Sequence, residues 1–128
     1  MRLLLDTHAL IWWLAADAQL SLPAREAIAD ESNEVFVSAA SAWEVATKHR
    51  IGRLPLAGPL AVDFAAEVRR QAFVPLPITL EHGQLAGALA SAHRDPFDRM
   101  LVAQARLERM ALVSNERAFD AFDVSRLW

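Results

Sequence analysis

Leu3-Leu4-Leu5-Asp6-Thr7-His8-Ala9-Leu10-Ile11-Trp12-Trp13-Leu14 runs from three leucines through one acid into a second apolar stretch. Three consecutive leucines read as a short strand buried on both faces, and a helix from about Thr7 to Ala16 follows at once. Asp6 stands at the joint. The same alternation continues outward along the chain. A helix spans Pro23 to Glu31, with Ser21 or Leu22 near its cap and Pro23 in its first turn. Glu34 to Ser38 is a second strand. Ser41-Ala42-Trp43-Glu44 has capping-box form and opens a helix ending near Gly52. After the loop at Leu54 to Pro59, Leu60, Phe64 and Val68 at spacing four mark a fourth helix. Phe73 to Ile78 is a third strand, which Pro75 and Pro77 either place at an edge or limit in its pairing. Thr79 to Ala90 is helical, and Asp95-Pro96 starts a helix to about Met110. Ala111 to Ser114 forms a fourth strand and Val124 to Leu127 a possible fifth, with a short helix at Arg117 to Phe122 between them. Strands alternating with helices imply an α/β fold with a mainly parallel sheet of four to five strands, covered on both faces.

The bulk numbers bound the function. The chain has 128 residues, sized for one domain with a real core, and its hydrophobic fraction is 54%. No apolar run approaches the ~18 residues that span a bilayer, and Met1-Arg2-Leu3-Leu4-Leu5 meets Asp6 too early for a signal peptide. There is no cysteine, hence no disulfide framework, no thiolate metal site and no cysteine nucleophile. A cytoplasmic protein is the simplest expectation. Net charge is −3, and neutralising four acids would bring it to +1. Twelve of thirteen basic residues are Arg, and they clump at Lys48-His49-Arg50 with Arg53 and at Arg69-Arg70.

Four acids, Asp6, Glu44, Asp98 and Glu116, each follow an apolar run or open a helix. Capping explains any one of them alone: Asp6 and Asp95 at N-caps, Glu44 in the capping box, Asp98 and Glu116 in first turns. Together they have a second explanation. Residues just past the strands of a parallel sheet gather on one rim, where ligands bind. Carboxylates gathered there repel, and a hard divalent cation such as Mg²⁺ or Mn²⁺ relieves the repulsion. That arrangement suits phosphodiester hydrolysis. Thr7, Ser38 and Ser114 add hydroxyls that serve either a phosphate and its water or ordinary caps. A glycine-rich phosphate loop and a Gly-x-Ser-x-Gly elbow are both missing from the sequence, and Asp6 is followed two residues on by His8 rather than a second Asp.

The ordered segments resemble a known family. Leu3 to Leu14 resembles the opening of bacterial PIN-domain proteins of the VapC toxin type, Ser38 to Lys48 resembles their second motif, and His93 to Ala105 the third. Leu112-Val113-Ser114-Asn115-Glu116 and the final Leu127-Trp128 are similar too. The resemblance implies a single PIN domain over residues 1–128, a three-layer α/β/α sandwich. It implies a metal-dependent endoribonuclease that cuts RNA, arrests translation and is neutralised by a cognate antitoxin, with a homodimer and no membrane. Asp6, Glu44 and Asp98 match the family's acidic triad for Mg²⁺ or Mn²⁺. Glu116 stands where the family commonly has Asp, and Asp95 supports Asp98. The competing class is a PIN-like module that binds RNA or protein without cutting. Trp12 and Trp13, in a helix apolar all round, either pack inside or present a stripe to a partner.

Overall fold

A computed structural model of the chain describes residues 1–128, apart from the side chain of Leu56. Five parallel strands, β1 (Arg2–Leu5), β2 (Glu34–Ser38), β3 (Val74–Leu76), β4 (Ala111–Val113) and β5 (Arg126–Leu127), form one sheet in the order β3-β2-β1-β4-β5. Seven α-helices connect them: α1 (Thr7–Leu14), α2 (Leu22–Ala29), α3 (Ala39–Arg50), α4 (Pro59–Val62), α5 (Phe64–Arg70), α6 (Leu80–Ala88) and α7 (Pro96–Glu108). Single 3₁₀ turns lie at Pro55–Ala57 and Arg117–Ala121.

Side chains alternate across the sheet, and the core divides accordingly. Leu3, Leu5, Val35, Val37 and Val113 pack with Leu10, Ile11 and Trp12 of α1, Ile28 of α2, Val45 of α3 and Val68 of α5. Leu4, Phe36 and Leu112 face the other way, onto Leu101, Val102 and Ala105 of α7 and Phe119. Because β1 is covered on both faces, its three leucines are fully buried. That accounts for an uninterrupted apolar run where a half-exposed strand would alternate.

The order of the strands sets where a ligand can sit. From β1 the chain steps outward to β2 and β3, then returns to lay β4 against the other side of β1. The direction of winding reverses at β1, so a crevice opens beyond the carboxyl ends of β1 and β4. Asp6 and Ser114 are the residues that immediately follow these two strands.

Two expectations need correction, and of the two alternatives for the α1 tryptophans one holds. Ser41 does not cap α3: the helix starts at Ala39, Ser38 is its N-cap, and the Ser38 hydroxyl accepts from the Ala40 amide at 2.9 Å. Ser41 and Glu44 are therefore inside the helix, and no capping box exists there. The spacing-of-four segment is two helices broken at Asp63, whose carboxylate caps α5 through the Ala66 amide at 3.1 Å. Leu60 and Val68 stay buried on both sides of the break. The tryptophans of α1 do not form an exposed stripe: Trp12 is buried beside Trp128, and Trp13 packs on Phe73 and donates to Gln71 at 2.9 Å. Pro75 does lie in an edge strand, as its missing N–H requires.

Ala72, just after α5, has φ 57°. A left-handed residue there closes the helix, with the Phe73 amide donating to the Val68 carbonyl at 3.2 Å. Alanine pays a steric penalty in this region that glycine avoids. Ala72→Gly is expected to raise the unfolding free energy by about 0.5–1 kcal/mol, read from the urea midpoint.

Candidate functional site

Asp6 occupies the switch point of the sheet. Its backbone leaves β1 in an extended conformation, its amide donates to the Val113 carbonyl at 3.1 Å, and its Oδ1 accepts from the Ala9 amide at 2.8 Å as the N-cap of α1. The carboxyl is buried. Burial pushes its pKa up to about 6, the Ser114 hydroxyl, the Ala9 amide and His8 pull it down, and Asp98 pushes it further up. A helix amino end favours a negative charge, yet desolvation outweighs it here.

Thr7 is buried beside it and reaches across to α3. Its Oγ1 donates to Glu44 Oε1 at 2.5 Å and lies 3.1 Å from the Ser41 hydroxyl. Glu44, in the second turn of α3, is buried too, and its other oxygen pairs with Lys48 one turn on. Ser41 thus contributes as a contact of Thr7 rather than as a cap.

Asp98 lies in the first turn of α7. Its amide donates to Asp95 Oδ1 at 3.0 Å, which makes Asp95 the N-cap of this helix. Its Oδ2 is 2.9 Å from His93 Nε2. Burial raises the pKa of Asp98, His93 opposes it, and the charges of Asp95 and Glu44 add to the rise. Asp6, Glu44 and Asp98 therefore feel one another: Asp98 acts on Asp6, and Glu44 acts on Asp98.

Glu116 sits apart in character. It is exposed and caps the 3₁₀ turn through the Ala118 amide at 3.1 Å, and its own amide donates to the Ser114 hydroxyl at 3.0 Å. Its charge acts on Arg126. Ser114 is fully buried and links this end of the rim to Asp6. Among the described residues, no three of the acids and histidines converge as a ready-made metal group.

Residue spacing alone could have revealed Lys48, which lies four positions after Glu44 on one helix face. His93 had no comparable signal, since its contact with Asp98 is made by a loop. Arg99 holds that loop. Its guanidinium donates to the carbonyls of Ala86, Gly87, Leu89, Ser91 and His93, at 2.7 to 3.3 Å. Gln104, buried in α7, accepts from the Ser38 hydroxyl at 2.5 Å and so ties α7 to the cap of α3.

The chain is similar to two ribonucleases of Mycobacterium tuberculosis. It is 34% identical over 118 residues to ribonuclease VapC22, covering 89% of this chain and 86% of that protein. It is 39% identical over 69 residues to ribonuclease VapC16, covering 54% of this chain and only 48% of that protein. The fold is similar to that in the crystal structure of VapBC2 from Rickettsia felis bound to a promoter DNA fragment. That match has a TM-score of 0.66 at 13% identity and covers 98% of this chain and 97% of that one. It is also similar to FitAcB from Neisseria gonorrhoeae, with a TM-score of 0.58 at 19% identity over 97% and 95% of the two chains. The sequence pattern of the PIN domain matches residues 3–125, and the chain belongs to that family.

Proposed function

We propose that this chain, as a single PIN domain, is a Mg²⁺- or Mn²⁺-dependent endoribonuclease and the toxin of a toxin–antitoxin pair. Asp6, Glu44 and Asp98 are its catalytic and metal-holding carboxylates, Glu116 is a fourth, outer acid, and Asp95, Thr7 and Ser114 support them. The observation that carries this reading is Asp6: a buried carboxyl at the switch point, driven up to about 6, with Asp98 adding repulsion. Such a group costs stability unless a cation arrives. The similarity to ribonucleases VapC22 and VapC16, and to chains solved in toxin–antitoxin complexes, supports the activity and the antitoxin partner. Exposed Val62 and Leu80 offer apolar surface for that partner or for a second copy in a homodimer.

The donor set fits a hard cation, being carboxylate and hydroxyl oxygens with no sulfur. When bound, the cation polarises a phosphate oxygen and lowers the pKa of water. The protein does the rest. Thr7 fixes one oxygen of Glu44, Ser114 and the Ala9 amide orient Asp6, and Asp95 with His93 orients Asp98. Lys48 and His93 each hold one oxygen of these carboxylates, Lys48 on Glu44 and His93 on Asp98. The reading is tested by incubating the purified protein with RNA. Cleavage is expected with Mg²⁺ or Mn²⁺ and none in chelator, whereas equal cleavage in chelator sinks the metal role. RNA retained without cleavage in either condition would favour the non-cutting module. Glu116→Asp is expected to change activity by less than about tenfold at saturating metal while tightening the metal dependence, because a residue on the exposed rim acts through water.

A further inference from the structure

Of the four tryptophans, three are buried or half-buried, whereas Trp43 is 59% exposed. Indole on a surface wastes a large apolar face unless something covers it. Trp43 meets Phe97 edge-on, with ring centroids 4.7 Å apart and planes at 71°. Each ring immediately precedes an acid of the rim: Trp43 precedes Glu44, and Phe97 precedes Asp98. Lys48 joins the two features, since its Nζ pairs with Glu44 and lies 5.9 Å from the centre of the Phe97 ring. Beside the rings runs a groove of about 200 Å³ lined by Ala40, Trp43, Ile78, Pro96, Arg99 and Met100. That is smaller than the ~300 Å³ of a drug-sized pocket and suits a single ring system.

We infer that Trp43 is a stacking platform for one unpaired base of the RNA, next to the phosphate held at the acids. This rests on the ribonuclease reading for the position of the backbone. An exposed indole packed on Phe97, with Lys48 over that second ring, matches a nucleotide, which offers a π-face and a phosphate a few ångströms apart. A protein partner would not need the cation at the boundary between aromatic ring and acid. Stacking tolerates any base, so the platform selects single-stranded RNA over duplex without reading sequence. Phe97 packs across the indole at 71°, and 59% of Trp43 stays open to solvent.

The test uses the full chain and a fluorescent single-stranded oligoribonucleotide, with a set in which one abasic position is moved along the strand. Cleavage is followed in Mg²⁺ and binding by anisotropy in EDTA. Trp43→Ala is expected to weaken binding and lower kcat/KM by about tenfold or more, Trp43→Phe to keep both within about threefold, and a paired duplex to bind both proteins alike. One abasic position is expected to weaken the wild type and to leave Trp43→Ala unchanged. Equal binding by wild type and Trp43→Ala overturns the platform. A change in oligomeric mass with RNA affinity intact overturns it too, and assigns the indole to a protein contact. If the wild type binds with Trp43 dependence but never cleaves, the platform stands and the nuclease reading fails. If it neither binds nor cleaves, both fail.

Discussion

Asp6→Asn is expected to abolish RNA cleavage and, at the same time, to stabilise the metal-free protein at pH 7. Asparagine keeps the Oδ1 that accepts the Ala9 amide, so the cap of α1 survives. What disappears is the charge. In the folded chain Asp6 holds its proton up to about pH 6, whereas its ordinary value is 3.8. Between those values the unfolded chain is ionised and the folded chain still binds the proton. Stability of the metal-free wild type therefore falls as pH rises from about 4 to about 6, then levels off. A shift of this size corresponds to a penalty on the order of 2–3 kcal/mol above pH 6, which Asp6→Asn removes. Urea titrations between pH 4 and 8 should show the wild type losing stability across that window and the variant losing less, the remainder being the share of Asp98. Mg²⁺ should raise the melting temperature of the wild type and leave that of the variant almost unmoved. A variant that cuts RNA at the wild-type rate removes Asp6 from the machinery. A variant less stable than wild type at pH 7 shows that burial is not the dominant influence on this carboxyl.

The alternation that defines this fold was legible because β1 and its neighbours are buried on both faces, leaving apolar runs with no polar interruption. Asp6 and Asp95 were legible as caps because a cap is a local signal, carried by one residue and the helix after it. Asp98 was placed correctly for the same reason. The place of Glu44 inside α3 is hidden in the sequence, because the start signal of that helix, Ser38, lies inside the strand pattern and Ser41 imitates a cap by spacing alone. The break at Asp63 was invisible because periodicity reports which side chains are buried, and Leu60 and Val68 are buried on either side of it. Contacts made across the sheet left no trace in the sequence. Thr7 finds Glu44, and Ser38 finds Gln104, only once the tertiary fold exists.

Gln104→Leu is expected to cost about 2 kcal/mol, although the new residue is apolar and of similar size. Gln104 is fully buried, accepts from the Ser38 hydroxyl, and donates through Nε2 to the Pro77 carbonyl at 3.3 Å. His82 Nδ1, 3.5 Å away, already accepts from the Thr79 amide at 3.0 Å, so its Nε2 carries the proton and donates to Glu108 at 2.9 Å. Leucine leaves the buried Ser38 hydroxyl without its acceptor, whereas the carbonyl of exposed Pro77 can turn to water. A buried orphan of this kind costs ~1–3 kcal/mol, a large part of the ~5–15 kcal/mol that holds a domain together. The double variant Ser38→Ala, Gln104→Leu should lose less than the sum of the two single variants, since the hydroxyl that the leucine would orphan is gone, although the cap of α3 goes with it. Additive losses in that cycle, by denaturant unfolding, exclude the coupling. Ser38 caps the helix that carries Glu44, so the single variant should also weaken cleavage.

The pairing of Leu3 with Ala111 joins the first strand to one from the far end of the chain. During synthesis the amino-terminal half emerges first and can pair β1 with β2, but the opposite flank of β1 stays open to water until β4 is made. Asp6 takes its place only when the Val113 carbonyl receives its amide, and Ser114 arrives in the same step. Assembly of the rim is thus a late event in the life of the nascent chain, gated by sequence separation rather than by any binding partner. A ribosome producing this protein carries an incomplete site until residues 111–114 have emerged.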